Sequence, residues 1–415
     1  MFEAEAHLDS LAAIGWSMGL ERIEALCQEL GRPQDRFESI HVVGTNGKSS
    51  VTRMIAAITE AHGVRSGCSL SPHLERWSER VVIAGDEIPP ERFNAAVEQA
   101  AGAAGKVERD LAEQEFVTQY ELATAASFVA LAEAGVELAV VEAGLGGRLD
   151  ATNSLNSAAT VLTSVGIDHT EFLGETELEI AAEKLAVLRP GTTLILGEVS
   201  AEVGELADRT AAERGCRVIE AGSAHGADGA ERRLAAPGEF QRRNFTVARA
   251  AAQAFLGGLE PERVGKAAAA ILIPGRLEVV GEDPTVVLDV AHNRAGAAAL
   301  ARSLPEVSGG RPVIALLGVM SDKDAPGIIA ELAPGLERAV FTELPEASLA
   351  ARGRPGAASW PAGELSGLAA RVGLAGEQQA EPVAALELAR RRARESGGVV
   401  LVAGSHYLAP VAGAG

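Results

Sequence analysis

The tract Ile40-His41-Val42-Val43-Gly44-Thr45-Asn46-Gly47-Lys48-Ser49-Ser50-Val51-Thr52 sets one lysine and several hydroxyls between a short β-branched run and an apolar helical pattern. That order is strand, tight turn, helix. Glycines let backbone N–H groups curl around phosphate oxygens without a Cβ in the way. The helix N-terminus adds partial positive charge. Lys48 would bring a full charge to the β/γ-phosphates, and Ser49 or Ser50 a hydroxyl to Mg²⁺. Gly44, Thr45, Asn46, Gly47, Lys48, Ser49 and Ser50 are therefore candidate nucleoside triphosphate contacts. The common phosphate-loop pattern has a further glycine five residues before Gly47, where Val42 stands. A strand before the turn and a helix after it are the structural context this reading requires.

Other polar groups end apolar runs. Glu142 closes the run 137–143 and is followed by Gly144-Leu145-Gly146-Gly147-Arg148. A carboxylate there, beside a triphosphate, suits Mg²⁺, which takes one or two carboxylates plus waters and phosphates. The run 159–165 leads into Asp168-His169, a metal or phosphate contact in the same register. Gln241 and Asn244 could offer an amide to the nucleotide. Arg276 follows Pro274-Gly275, and its planar donor fork suits an oxyanion. Asp289 and His292 end another apolar run and could bond ribose or base. Gln241, Asn244, Arg276, Asp289 and His292 could equally serve a turn or a cap.

The apolar runs at 40–43, 137–143, 159–165, 193–196, 285–290, 312–318, 338–343 and 398–403 alternate with helical patterns. Such alternation predicts mostly parallel sheets covered on both faces. Proline and glycine near Ile273-Pro274-Gly275-Arg276 mark a break between two α/β blocks, a setting in which ligands often bind. Residues 222–239 read as a loop or weak strand excursion. The 415 residues fit two to three domains. Aromatics are 4%, so the cores must come from Ala, Val, Leu and Ile. A net charge of −20 argues against a general nucleic-acid or membrane binder. The cluster Arg390-Arg391-Arg392-Ala393-Arg394 continues a helical pattern and reads as a solvated face. Three scattered cysteines imply no disulfide framework and suit a reducing cytoplasm. No apolar run is long enough to span a bilayer, and the acidic N-terminus has no signal-peptide character.

Taken in order, these segments resemble folylpolyglutamate synthase/dihydrofolate synthase, a branch of the Mur ligase superfamily. The resemblance runs from Met18-Gly19-Leu20-Glu21-Arg22-Ile23 through the loop at His41–Lys48. It continues in Ser71-Pro72-His73-Leu74, Glu79-Arg80-Val81, Tyr120-Glu121, Glu142 to Asn153, Asp168-His169 and Glu183-Lys184. It closes with Pro274-Gly275-Arg276, Asp289 to Asn293, Asp322-Lys323-Asp324 and Gly404-Ser405. The implied fold is α/β: a phosphate-loop-type, mostly parallel sheet in an N-terminal ATP-binding domain (1–274) with the pterin/folate site, plus a smaller Rossmann-like C-terminal domain (275–415) contributing nucleotide and glutamate contacts.

The resemblance implies an ATP-dependent amide ligase. It would join L-glutamate to dihydropteroate, to folates, or to both, through an acyl phosphate, giving ADP and phosphate. Two Mg²⁺ ions are implied: Ser71 and Glu142 on the first, His169 on a second shared with a carbamylated Lys184. Only the resemblance singles out Lys184. It also implies that Asn244, Arg276 and Asp289 contact ATP with His292 nearby. Lys48, Lys184, His169 and Arg276 would act in catalysis. Trp16, Ser17, Met18, Thr118, Leu149, Asp150 and Ala151 would line the pterin site. The expected protein is a cytoplasmic monomer whose partners are dihydropteroate or tetrahydrofolate, L-glutamate and ATP, with no nucleic acid or membrane. Three positions depart from the family pattern: Ser49 for glycine, Arg294 for proline after His292-Asn293, and His406-Tyr407 after Gly404-Ser405. Two alternatives are a ligase of the same superfamily acting on a non-folate acid, such as a peptidoglycan precursor, and a nucleotide-dependent switch or ATPase. The 18–23 segment and Ser-Pro-His-Leu argue against the first, and a second α/β domain against the other.

Overall fold

The computed structural model describes residues 2–15, 17–111, 115–224, 229–351, 354 and 356–413. Among them the strands are β1 (Glu38–Val43), β2 (Ser66–Ser69), β3 (Val81–Ile83), β4 (Asp86–Glu87), β5 (Leu138–Glu142), β6 (Ala159–Leu162), β7 (Thr193–Leu196), β8 (Arg217–Glu220), β9 (Glu278–Glu282), β10 (Thr285–Leu288), β11 (Val313–Leu317), β12 (Arg338–Phe341), β13 (Ala375–Gln378) and β14 (Val399–Ala403). They form two sheets, ordered β4-β3-β2-β5-β1-β6-β7-β8 and β13-β12-β11-β14-β10-β9. The first is parallel from β2 to β8, with β3 and β4 antiparallel at one edge. In the second only β9 runs antiparallel. The mostly parallel α/β class read from the alternating runs is the one observed. The eight apolar runs all hold strands, each shortened by up to three residues at its ends or, for β1, extended by two. The runs missed β2, β3, β4, β8, β9 and β13. Those strands are short, or carry Ser, Gly, Arg and Glu where a buried parallel strand would carry β-branched residues.

Two compact units emerge. One comprises residues 1–235 and 242–271, the other 236–241 and 272–415. The helix Pro261–Ala270 already ends before Pro274, so the chain leaves the first unit ahead of the Pro-Gly pair. Residues 222–239 hold short 3-10 turns at Ala221–Ala224 and Ala230–Arg233 and no strand among those described.

In the first unit one core packs the helices Glu21–Glu29, Pro90–Val107 and Gln119–Glu133. Leu122 to Ala132 is buried without interruption, which is possible because five of those positions are alanine and neighbouring elements can approach closely. On the other side Leu162, Leu194 and Leu196 meet the helices Glu177–Leu185 and Ala201–Glu213. The second unit has its own core around Leu300, Ala315, Leu317, Phe341 and Leu401. The arginine-rich helix Pro382–Ser396 buries Ala385, Leu386, Ala389 and Ala393. Arg392 pairs with Glu377 and Glu395 at 2.8 Å each, as a solvated charged face does. No described helix is long and apolar enough to cross a membrane.

Candidate active site

The strand order builds the site. β1 lies between β5 and β6, with Val42 opposite Glu142 and Val43 opposite Leu162. Three parallel strands therefore deliver loop 44–47, Glu142 and Thr163-Ser164 to the same sheet edge, where open parallel sheets bind ligands. The loop is tied to the end of β6. Thr45 N donates to Ser164 O at 2.9 Å, Asn46 N to Ser164 Oγ at 3.1 Å, and Thr163 Oγ1 to Asn46 O at 2.7 Å. Two glycines are needed here. Gly44 has φ +152°, and a Cβ would stand 1.9 Å from Thr163 Oγ1; Gly47 has φ +85°, with its would-be Cβ 2.5 Å from Asn244 Oδ1. That second approach sets Asn244 against the loop. The helix starts at Lys48, so strand, turn and helix follow the order the loop requires.

Glu142 gathers its neighbours. Ser49 Oγ donates to Oε1 at 3.0 Å and the Ser71 backbone N–H to Oε2 at 3.1 Å. Of the two loop serines it is thus Ser49 that reaches the carboxylate. A carboxylate flanked by hydroxyl-bearing residues suits Mg²⁺, whose remaining ligands come from water and phosphate. No cluster of three or more His, Cys, Asp or Glu side chains suited to a metal occurs among the described residues. His169, at φ +51°, caps the short helix Thr170–Leu173, and its Nε2 is 3.9 Å from Asp168 Oδ1.

Lys184 lies inside the protein, 3% exposed, near the end of Glu177–Leu185. Gly147 makes that possible: a Cβ there would be 2.8 Å from Glu183 O, so only glycine lets the Gly-rich loop lie flat on this helix. Arg148 N donates to the same carbonyl at 3.0 Å. Lys184 Nζ then donates to Gly44 O at 3.1 Å, and Lys48 Nζ donates to the same oxygen at 3.1 Å. Burial first, and the Lys48 charge second, bring the Lys184 pKa down to about 7; Asp168 and Asp150 oppose the fall.

Around the remaining candidates runs a second polar network. Asp150 accepts from Leu145 N at 2.8 Å, Thr152 N at 3.0 Å and Tyr120 OH at 3.3 Å. Thr152 Oγ1 also bonds His41 Nε2 at 2.8 Å. Burial raises the Asp150 pKa against these bonds and holds His41 neutral, down to about 3. Thr118 caps Gln119–Glu133 and is buried; Ala151 is buried too, while Ser17, Met18 and Leu149 are exposed. Trp16 lies outside the described residues.

In the second unit, Asp289 is 1% exposed and accepts from Leu277 N at 3.1 Å and Ala291 N at 2.9 Å. It thereby pins the segment carrying Arg276 to the end of β10. Burial raises its pKa, with Arg276 the largest opposing influence. His292 Nδ1 bonds Val290 O at 2.9 Å, and Asn293 caps Arg294–Ser308.

Residues 42–253 match the Mur ligase middle domain and residues 275–406 the Mur ligase glutamate ligase domain. The dihydrofolate synthase/folylpolyglutamate synthase of Mycobacterium tuberculosis is 36% identical over 364 residues, 78% of this chain and 74% of that protein. This chain belongs to the dihydrofolate synthase/folylpolyglutamate synthase family of Mur ligases. A folylpolyglutamate synthase structure from M. tuberculosis, complexed with ADP and AMPPCP, superposes with TM-score 0.87 at 31% identity, covering 95% of this chain and 94% of that one. A bifunctional folylpolyglutamate synthase/dihydrofolate synthase with Mn, AMPPNP and L-glutamate bound gives 0.81 at 27%, covering 99% and 97%.

Ser49 and Arg294, where this Mur ligase departs from its family pattern, find local explanations. Ser49 supplies a hydroxyl to Glu142 that glycine would not. Arg294 takes the first helical position, which proline favours but does not monopolise, and pairs with Glu331 at 2.9 Å. Tyr407 is buried and His406 half-buried, and nothing in the structure explains the histidine. Reading the chain missed Thr163, Ser164, Tyr120 and His41 as site-building groups. Two adjacent hydroxyls inside the run 159–165 were the one local signal available.

Proposed function

We propose that this ligase adds L-glutamate to dihydropteroate, to folates, or to both, consuming ATP. The observation that carries the reading is the junction of loop 44–48, Glu142 with Ser49 and Ser71, and buried Lys184 at one sheet edge. A carboxylate resists amine attack because its leaving group would be oxide. Phosphorylation by ATP gives an acyl phosphate and ADP. The glutamate amine then attacks the acyl carbon, phosphate leaves, and the amine gives up a proton.

In this reading the loop amides, the helix N-terminus and Lys48 hold the β/γ-phosphates. Asn244, Arg276, Asp289 and His292 are assigned to the nucleotide, Asp289 acting by fixing the Arg276 segment. Ser17, Met18, Thr118, Leu149, Asp150 and Ala151 are assigned to the acid. Glu142, Ser71 and Ser49 would hold one Mg²⁺, which when bound neutralises charge on the transferring phosphoryl group. His169 and Lys184 would serve a second ion. Lys184 supports that role through its pKa of about 7: the neutral amine adds to CO₂, an N–C bond forms, a proton departs and an anionic carbamate results.

Product mass spectrometry with Mg-ATP and L-glutamate tests this, with dihydropteroate in one reaction and tetrahydrofolate in the other. Mass gain of one glutamyl unit in both identifies a bifunctional enzyme; gain in the folate alone, a polyglutamate synthase. Absence of product in both, from protein that binds ATP, refutes the folate reading.

A further inference from the structure

Arg22 occupies the second position of the helix Glu21–Glu29 and Glu121 the third position of Gln119–Glu133. They form a two-point ion pair, Nε to Oε2 at 3.1 Å and Nη2 to Oε1 at 3.0 Å, with side chains only 9% and 4% exposed. Glu121 suits its place, since a carboxylate in a first turn meets the positive end of the helix dipole. Arg22 does not, because a cation there meets the same sign. Burying a guanidinium also carries a desolvation cost that pairing offsets only in good geometry, and apolar residues of similar volume often stabilise as well or better. Fold stability alone is therefore a poor reason for this pair.

What distinguishes it is what each partner holds besides the other. Arg22 Nη2 donates to Ser17 O at 2.9 Å, fixing the chain next to Met18. Gly19, at φ +148°, lets that segment turn tightly onto the helix; a Cβ there would be 2.8 Å from Glu21 Oε2 and 3.9 Å from the Arg22 guanidinium. Glu121 Oε2 accepts from both Thr118 N and Thr118 Oγ1 at 2.8 Å. One charge pair thus locks Ser17-Met18 and Thr118, two segments distant in the chain, into a single register.

We propose that Arg22 and Glu121 are positioning residues for the acid substrate, setting the spacing of these two pocket segments. The inference rests on the assignment of both segments to the acid. It predicts that the pair governs KM for the acid and leaves KM for ATP alone.

The deciding protein is the double variant Arg22→Met/Glu121→Gln, compared with Arg22→Met and wild type. The introduced glutamine amide keeps an oxygen to accept from Thr118, and the double variant buries no unpaired charge, whereas Arg22→Met alone strands a carboxylate and is expected to melt lower. Steady-state ligation is measured with the acid that wild type accepts, together with thermal unfolding. The expected double variant unfolds near the wild-type temperature, with KM for the acid raised tenfold or more and KM for ATP within twofold. A double variant with wild-type KM for the acid overturns the inference alone, the function reading standing. So does an equal rise in both KM values, or failure of the double variant to fold, since each marks a purely structural pair. A wild-type protein that ligates neither acid overturns the function reading, and this inference falls with it.

Discussion

Replacing Lys184 by methionine should make the protein more stable near neutral pH while abolishing ligation. The Lys184 pKa falls from 10.5 to about 7, chiefly through burial. A difference of about 3.5 units corresponds to ~5 kcal/mol carried against folding whenever the amine is charged, at ~1.4 kcal/mol per unit. Methionine fills similar space, carries no charge and forfeits the bond to Gly44 O, a loss of ~1 kcal/mol. A net gain of ~3–4 kcal/mol is expected below pH 7.

The sign with pH follows from proton binding. Between about 7 and 10.5 the unfolded chain holds a proton on Lys184 that the folded chain has released, so wild-type stability rises with pH across that window. Below about 7 both states are protonated and the penalty is constant. From pH 7 to 9 wild type should gain ~2 kcal/mol on Lys184→Met. Denaturant unfolding of both proteins from pH 6 to 9, in CO₂-free buffer so that no carbamate forms, reads this directly. Equal stabilities at pH 6 and parallel pH dependences would refute a desolvated amine at this position, and with it the chemistry assigned to Lys184.

Glu142→Ala should raise the Mg²⁺ concentration needed for half-maximal ligation by about tenfold or more, because Ser49 and Ser71 lose the carboxylate they converge on; a Mg²⁺ titration that overlays wild type removes Glu142 from the metal site. Gly47→Ala forces a side chain into a left-handed backbone, ~1–2 kcal/mol, and drives a Cβ to 2.5 Å from Asn244 Oδ1. Calorimetry with AMPPNP should then show binding weakened about tenfold or more, and unchanged affinity would mean that the loop does not cradle phosphate. Tyr120→Phe deletes one bond to Asp150 and should raise KM for the acid by about threefold to tenfold, with KM for ATP constant. No change in KM for the acid would show that Leu145 and Thr152 suffice to orient Asp150.

The phosphate loop was legible because its chemistry is local. Two glycines, one lysine and a β-branched run act within thirteen residues, and the strand, turn and helix they imply all form. Glu142 was legible for a similar reason, a carboxylate ending an apolar run. Lys184 was not: on a helix whose sequence is Glu-Leu-Glu-Ile-Ala-Ala-Glu-Lys-Leu, it resembles any solvent-facing lysine. Its burial comes from Gly147 lying on the helix backbone, 37 positions earlier in the chain, and only the family resemblance pointed to it. The Arg22–Glu121 pair, separated by 99 positions, left no trace in spacing at all.

By itself, then, the amino-acid sequence determined the mostly parallel α/β class, the phosphate loop and the ordered motifs that mark a Mur ligase, since glycine conformation, β-branching and hydrophobic period act over a few residues. Tertiary structure alone decided the order β2-β5-β1-β6, and through it which groups meet. Parallel neighbours are joined by crossovers of many residues, so their pairing is written in no local pattern. That pairing is what selects Ser49 over Ser50 beside Glu142, lays two lysine amines on one carbonyl, and gives Lys184 a pKa near neutrality.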